Sequence, residues 1–256
     1  MARIFITGSA DGLGKLAAKA LISQGHKVVL HARNHKRAQD VLTEIHDVEA
    51  VLTADLSGMA ETKKLAVELN DMGRFDVVIH NAGLYQVSNL ELSVDGLPLL
   101  LAVNTIAPYL LTSLMYKPER LIYLSSGMHL QGDPTLKGLQ GTKPRVTYSD
   151  SKLHNLILAK AVARKWPDTF SNAVDPGWVP TKMGGNSAPD DLDKGYQTQV
   201  WLAGSNDAKA LVSSRYFHHQ RSANYLSKAD DIPTQEKFLS LCEQISGVSF
   251  PSQFIK

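Results

Sequence analysis

Short, wholly apolar runs alternate with stretches of helical spacing from the first residues onward. ARIFIT (2–7) reads as a strand that ends in the glycine-rich turn GSADGLG. In LGKLAAKALISQGH the apolar positions Leu13, Leu16, Ala17, Ala20 and Leu21 recur along one helical face, and Gly25 stops the pattern. KVVLHA (27–32) and EAVLTADL (49–56) read as the second and third strands, with helices at 35–46 and 61–73. FDVVIHNAG (75–83) is a fourth strand, 97–115 an apolar helix and RLIYLSS (120–126) a fifth strand. After a loop rich in Gly, Pro and Lys come a helix over 147–165, a sixth strand in SNAVDPG (171–177), a last strand at RYF and a final helix over 234–245. Strands that are apolar throughout, not alternating, have both faces covered, and their regular alternation with helices predicts an α/β fold with a parallel, doubly wound sheet. Each crossover is then right-handed, and ligands bind beyond the carboxyl ends of the strands.

The 256 residues are 43% hydrophobic and 20% charged, with no linker, repeat or biased segment, which predicts one domain over 1–256. A formal net charge of +2 with dispersed Lys and Arg predicts no nucleic-acid partner. The single cysteine, Cys242, cannot pair internally, and MARIFITG has no basic-then-apolar leader, so the expected location is cytoplasmic. Residues 97–115 approach spanning length, yet Asn104, Pro108 and three hydroxyl side chains favour a buried helix over a membrane span. His218 and His219 are adjacent, which would send them to opposite faces of a strand, and no ligand spacing accompanies them, so no metal is expected.

TGSADGLG (7–14) lies between the first strand and the first helix, the context in which a glycine pattern binds a dinucleotide. Gly8 permits the tight turn, Gly12 lets backbone approach a pyrophosphate, and Gly14 allows helix and strand to pack closely. The helix N-terminus offers unpaired N–H groups to the phosphates. The predicted architecture is therefore a Rossmann-type doubly wound parallel sheet of about seven strands with helices on both faces. At the end of the second strand, HARNHKR places Ala32 where an NAD site carries an acid, followed by Arg33, Lys36 and Arg37. A guanidinium suits a 2′-phosphate, so NADP(H) is expected over NAD(H). The same missing acid argues against an S-adenosylmethionine methyltransferase.

Taken in order, Thr7-Gly8-x-x-x-Gly12-x-Gly14, Asp55, Asn81-Ala82-Gly83, Asn104, Ser125-Ser126, Tyr148-x-x-x-Lys152 and Pro176-Gly177 resemble the short-chain dehydrogenase/reductase family in its compact branch. HARN and the long loop before Tyr148 resemble its retinol-dehydrogenase-like subgroup. The resemblance implies hydride transfer between a nicotinamide and a carbonyl or secondary alcohol. It implies Tyr148 as acid/base, Lys152 as its tuner and a ligand of the nicotinamide ribose, and Ser126, ahead of Ser125, as the group that holds the substrate oxygen. Asn104 would hold a water on a proton path from Lys152, by backbone or side chain. Cofactor contacts would come from Gly8, Ser9, Asp11, Gly12, Leu13, Gly14 and Arg33, from Asp55 at the adenine, and from Leu56, Asn81, Ala82 and Gly83. Tyr148, Lys152, Pro176, Gly177, Val179 and Thr181 would complete the set at the nicotinamide.

The chemistry has its own rationale. A free phenol titrates near pH 10, too high for efficient proton exchange at neutral pH, and an ammonium one helical turn away lowers that value. Singly, each residue has an ordinary structural reading: an interface aromatic, a solvated lysine, a strand-end hydroxyl, a satisfied core amide. Three features depart from the family pattern: His80 in place of an asparagine, a shortened stretch from Asn104 to Ser126, and a long 127–147 loop that could overhang the substrate. The shortened stretch puts the family's usual dimer in doubt and leaves homo-oligomer and monomer both open. Substrate shape is expected from 84–96, 127–147 and a lid region over 183–204, with Leu84, Tyr85, Met128, Leu130, Trp178 and Met183 suggesting an apolar pocket. The alternative is a non-catalytic NADPH sensor on the same fold, against which an intact Ser126, Tyr148 and Lys152 set argues.

Overall fold

One sheet organises the chain, with strand order β3-β2-β1-β4-β5-β6-β7-β8. The computed structural model describes residues 1–88 and 91–251. Its strands are β1 (Arg3–Ile6), β2 (Lys27–Ala32), β3 (Ala50–Thr53), β4 (Val77–His80), β5 (Arg120–Leu124), β6 (Phe170–Asp175), β7 (Arg215–His218) and β8 (Arg221–Ser222). β1 to β7 run parallel, and only β8 is antiparallel to its neighbour. The helices are α1 (Gly12–Ser23), α2 (His35–Leu42), α3 (Met59–Asp71), α4 (Leu99–Leu101), α5 (Ala107–Leu114), α6 (Tyr148–Lys165), α7 (Leu192–Gly204) and α8 (Ile232–Ser246). A π-helical segment, Ala102–Ile106, joins α4 to α5.

The apolar strands fill two cores. Phe5 and Val29 join Leu65, Tyr109 and Leu156 on one face, while Ile4, Ile6, Leu30, Ile79 and Val174 join Leu21 on the other. That two-sided burial is why the strands carry no polar alternation. Chain order reverses across β1: β2 leaves on one side and β4 arrives on the other. Such a switch point opens a crevice at the carboxyl ends of the strands.

Several elements differ from their sequence patterns. The third strand ends at Thr53, and Ala54, Asp55 and Leu56 after it line the crevice. The second helix stops at Leu42, with the Thr43 hydroxyl folded back on the Asp40 carbonyl. The last helix starts earlier, at Ile232, where Asp231 accepts from the Thr234 amide. The sheet has an eighth strand that the pattern missed, produced by a tight reversal at His219 and Gln220, with φ of +47° and +62°. The same reversal corrects the expectation for the paired histidines: they are not splayed to opposite faces, but stack with ring centroids 3.7 Å apart.

In the segment over 84–96, residues 89 and 90 lie outside the described residues. Of the 183–204 region, 192–204 is α7, whose Gly195 lets it approach Leu13 of α1 and Val179. Among the described residues no helix is long and apolar enough to cross a membrane, and no group of His, Cys, Asp or Glu is placed to hold a metal.

Candidate active site

The glycine turn is held by polar atoms from β2, β4 and its own ends. The Thr7 hydroxyl accepts from the amides of Asn81 and Ala82, both at 3.0 Å. The Asn81 side-chain amide donates back to the carbonyls of Thr7 (3.0 Å) and Gly8 (3.2 Å). A Cβ on Gly14 would lie 2.4 Å from that amide nitrogen and 2.6 Å from the Gly8 carbonyl, so the third glycine makes room for this lock. Gly8, at φ +63°, presses against Ala82. Asp11 caps α1 by accepting from the Gly12 amide. Ser9 is fully buried, donating to the Ile6 carbonyl and accepting from the His31 amide, so its side chain braces the turn.

His31 was not anticipated. Its Nδ1 accepts from the Gly8 amide at 3.0 Å and its Nε2 faces the Ala54 carbonyl at 3.0 Å, which fixes one neutral tautomer. Burial pushes its pKa down to about 4. The available signal was a histidine inside an otherwise apolar strand.

A cleft runs from this turn along the strand ends. Arg33, Arg37, Asp55 and Leu56 line one end, Gly8, Gly12, Leu13, Asn81, Ala82 and Gly83 the middle, and Tyr148, Lys152, Pro176 and Thr181 the other. Arg33 Nε stands 3.3 Å from the Asp55 carboxylate, whose other oxygen accepts from the Ser57 amide. Lys182 crosses the cleft mouth to Asp11 at 2.7 Å, with Arg37 3.5 Å from the same oxygen. Gly177, at φ +82°, turns the chain after Pro176 and donates to the Asp175 carboxylate. Val179 is buried, and the Thr181 hydroxyl accepts from the Gly184 amide.

Tyr148 is the first residue of α6, started by a reciprocal capping pair between Thr147 and Asp150. That start sends Tyr148 and Lys152 toward the ends of β4 and β5. Lys152 is buried, donates to the Leu124 carbonyl at 2.9 Å and sits 5.3 Å from the Tyr148 ring centroid. Burial draws its pKa down to about 8, against the pull of Asp175. Burial also pushes Tyr148 up to about 12; the Ser126 hydroxyl opposes the rise, and Asp175 and Tyr85 add to it. Among the protein's own groups, therefore, desolvation outweighs any lowering of the phenol by Lys152. The two serines separate clearly. Ser125 is buried and donates to the Lys152 carbonyl, whereas Ser126 is half-buried, accepts from the Met128 amide and faces Tyr148.

Asn104 occupies the π-helical segment and is fully buried. Its Oδ1 accepts from the Leu84 amide (2.7 Å), and its Nδ2 donates to the Leu84 carbonyl (2.9 Å) and the Ser151 hydroxyl (3.0 Å). The side chain thus pins the loop after β4 to α6. Tyr85 in that loop packs edge-on to Tyr148 at 4.7 Å. Leu84 and Met183 line the cleft, while Met128, Leu130 and Trp178 are exposed.

The cleft at the carboxyl ends of the strands thus runs from the glycine turn to a tyrosine and a lysine on α6. The chain belongs to the short-chain dehydrogenase family: residues 2–192 match the family described as short chain dehydrogenase. It is 44% identical to an uncharacterized oxidoreductase of Emericella nidulans, AN7799, over 98% of this chain and 99% of the relative. It is 40% identical to the short-chain dehydrogenase chry4 of Gibberella zeae, over 98% of this chain and all of the relative. The crystal structure of an uncharacterized protein from Mycobacterium paratuberculosis superposes with a TM-score of 0.83 at 23% identity, covering 98% and 95% of the two chains.

Proposed function

We propose that this enzyme is an NADP(H)-dependent oxidoreductase that moves a hydride between the nicotinamide and a carbonyl or secondary alcohol, with Tyr148 exchanging the proton. The observation that carries the reading is that Tyr148, with Ser126 beside its hydroxyl, and Lys152 stand at one end of a cleft whose far end presents Arg33 and Arg37. The cleft suits a dinucleotide because Gly8 and Gly12, at φ +63° and +54°, bring bare backbone to the start of α1, and small Ala82 and Gly83 line its middle. The glycine turn and α1 would hold the pyrophosphate. Arg33 would take the 2′-phosphate, Asp55 the adenine, and Asn81 to Gly83 the adenosine ribose. Lys152 would take the second ribose, and Pro176, Gly177, Val179 and Thr181 the carboxamide.

When bound, the nicotinamide supplies or accepts the hydride. The chain's residues do the rest. Ser126 holds the substrate oxygen, and Tyr148 gives it a proton as negative charge develops there. A phenol held at about 12 by burial is in its acid form at neutral pH, the form that reduction needs. Lys152 supplies positive charge beside the ring, and burial removes the water that would screen it. The test is NADPH oxidation across a panel of aldehydes, ketones and quinones. The reading expects turnover of at least one class, faster with NADPH than with NADH. Tight NADPH binding without turnover of any would point instead to a sensor.

A further inference from the structure

Tyr148 opens α6, and its own helix does little to aim it. Helical side chains lean toward the N-terminus and rest over the turn before them, but no turn precedes the first residue. Its ring is therefore held from elsewhere. Lys152 stands 5.3 Å from the ring centroid. The ring of Tyr85, in the loop after β4, meets it nearly edge-on, with centroids 4.7 Å apart and planes at 68°. Edge-on aromatic contacts are directional, so the pair fixes an angle as well as a distance. Tyr85 is half-buried and has fixed neighbours along the chain. Before it, the Leu84 amide donates to Asn104 Oδ1 at 2.7 Å and the Leu84 carbonyl accepts from Asn104 Nδ2 at 2.9 Å. After it, Gln86 holds a left-handed φ of +43°, a costly conformation for a residue with a Cβ. Asn104 Nδ2 also donates to the Ser151 hydroxyl at 3.0 Å, and that hydroxyl donates to the Tyr148 carbonyl at 2.7 Å. One buried side chain thus ties the backbone beside Tyr85 to the backbone of Tyr148 itself.

We propose that Tyr85 is a positioning residue that acts through Tyr148, its ring holding the phenol in the orientation that delivers a proton to the substrate oxygen. The inference rests on the reading above that Tyr148 gives the proton. Transfer needs the hydroxyl within hydrogen-bond reach of that oxygen, and a misplacement of about 1 Å costs about 10²-fold in rate. The hydroxyl lies at the far end of the ring, so a small rotation about χ1 carries it through that distance. Lys152 is a poor stop for such a rotation. Its ammonium is a point charge on a flexible stem, already donating to the Leu124 carbonyl. Tyr85 supplies a rigid edge on an anchored loop. Its ring makes the contact, so the Tyr85 hydroxyl is dispensable, and its loss of aim shows in kcat and not in cofactor binding.

The experiment compares Y85L and Y85F with the wild type in NADPH-dependent carbonyl reduction, beside NADPH titration and thermal melts. Y85L keeps apolar bulk without the ring, and Y85F keeps the ring without the hydroxyl. Y85M takes the place of Y85L should that chain fail to fold. The expected result is a kcat about ten- to a hundredfold lower in Y85L and within about twofold of wild type in Y85F, with the NADPH Kd unchanged in both. A change confined to KM overturns the proposal and makes Tyr85 a wall of the substrate space. An equal loss of kcat in Y85F and Y85L also overturns it, since the hydroxyl would then be the working group. Crystal structures of the three chains read the aim of Tyr148 without turnover. A Tyr148 ring displaced or split between orientations in Y85L alone supports the proposal, and one that superposes in all three overturns it. Should the wild type reduce no carbonyl at all, the functional reading falls, and the orientation of Tyr148 still decides whether Tyr85 holds it.

Discussion

At the glycine-turn end of the cleft, His31 and Asn81 direct their polar atoms at the backbone of the turn, and Thr7 directs its hydroxyl at the backbone after β4. At the opposite end, Tyr148 and Lys152 are desolvated together, and burial shifts the titration of each. The first end is a scaffold whose side chains are already satisfied, so its parts govern binding and stability. Burial shifts His31 at the first end too, but both its ring nitrogens are tied to backbone, whereas the second end presents a shifted phenol and ammonium to the cleft. The split predicts that substitutions at the two ends fail in different assays.

The largest effect belongs to the substrate end. Tyr148→Phe removes the proposed proton donor while keeping the ring against Tyr85, and the reading expects kcat to fall by about 10²–10⁴-fold with the NADPH Kd nearly unchanged. Equal losses in kcat and binding would erase the distinction between the ends. Gly14→Ala works the other way. Its new methyl must displace the Asn81 amide or the Gly8 carbonyl, costing about 1–3 kcal/mol of stability and weakening cofactor binding, as thermal melts and NADPH titration would show. A wild-type melt and affinity would mean the lock is not tight. Arg33→Ala isolates the proposed 2′-phosphate contact: the reading expects NADPH affinity to drop about tenfold, in line with a lost charge-assisted hydrogen bond, and NADH affinity to stay put. An equal loss for both cofactors would assign Arg33 to a shared part of the nucleotide.

The remaining effect is on stability in acid. His31 and His154 are held neutral by burial at about 4, and His80 at about 3. Their folded values lie below the unfolded value of about 6.5, so the stability they protect is intact above that pH. It drains away as the pH falls from there toward the folded values, by up to about 1.4 kcal/mol per pH unit for each ring. His80 is a clean probe, stacked on Tyr123 and bonded only through Nε2 to Thr112. A His80→Phe chain should show a shallower acid decline in denaturant midpoints, and an identical slope would mean that His80 takes up no extra proton on unfolding.

Legibility in the sequence follows the same division. The glycine turn, Asn81 and the capping start of α6 at Thr147 are local patterns, and a local pattern survives in one dimension. His31 and Asp175 owe their surroundings to pairing between β2, β6 and β7 and to the packing of α6, contacts set by the sheet and not by spacing. Asn104 was visible as a polar break in an apolar helix, yet its π-helical turn and its three bonds to Leu84 and Ser151 depend on a loop from elsewhere. The reversal at His219 went unseen because a left-handed conformation at His and Gln carries none of the glycine signal that marks such turns.

The most direct measurement is a crystal structure of the chain soaked with NADPH. The account predicts the nicotinamide between Tyr148 and the Pro176–Gly177 turn, with Lys152 on its ribose and Arg33 on the 2′-phosphate. A nucleotide seated outside this cleft, or one whose ring points away from Tyr148 and Ser126, would contradict it.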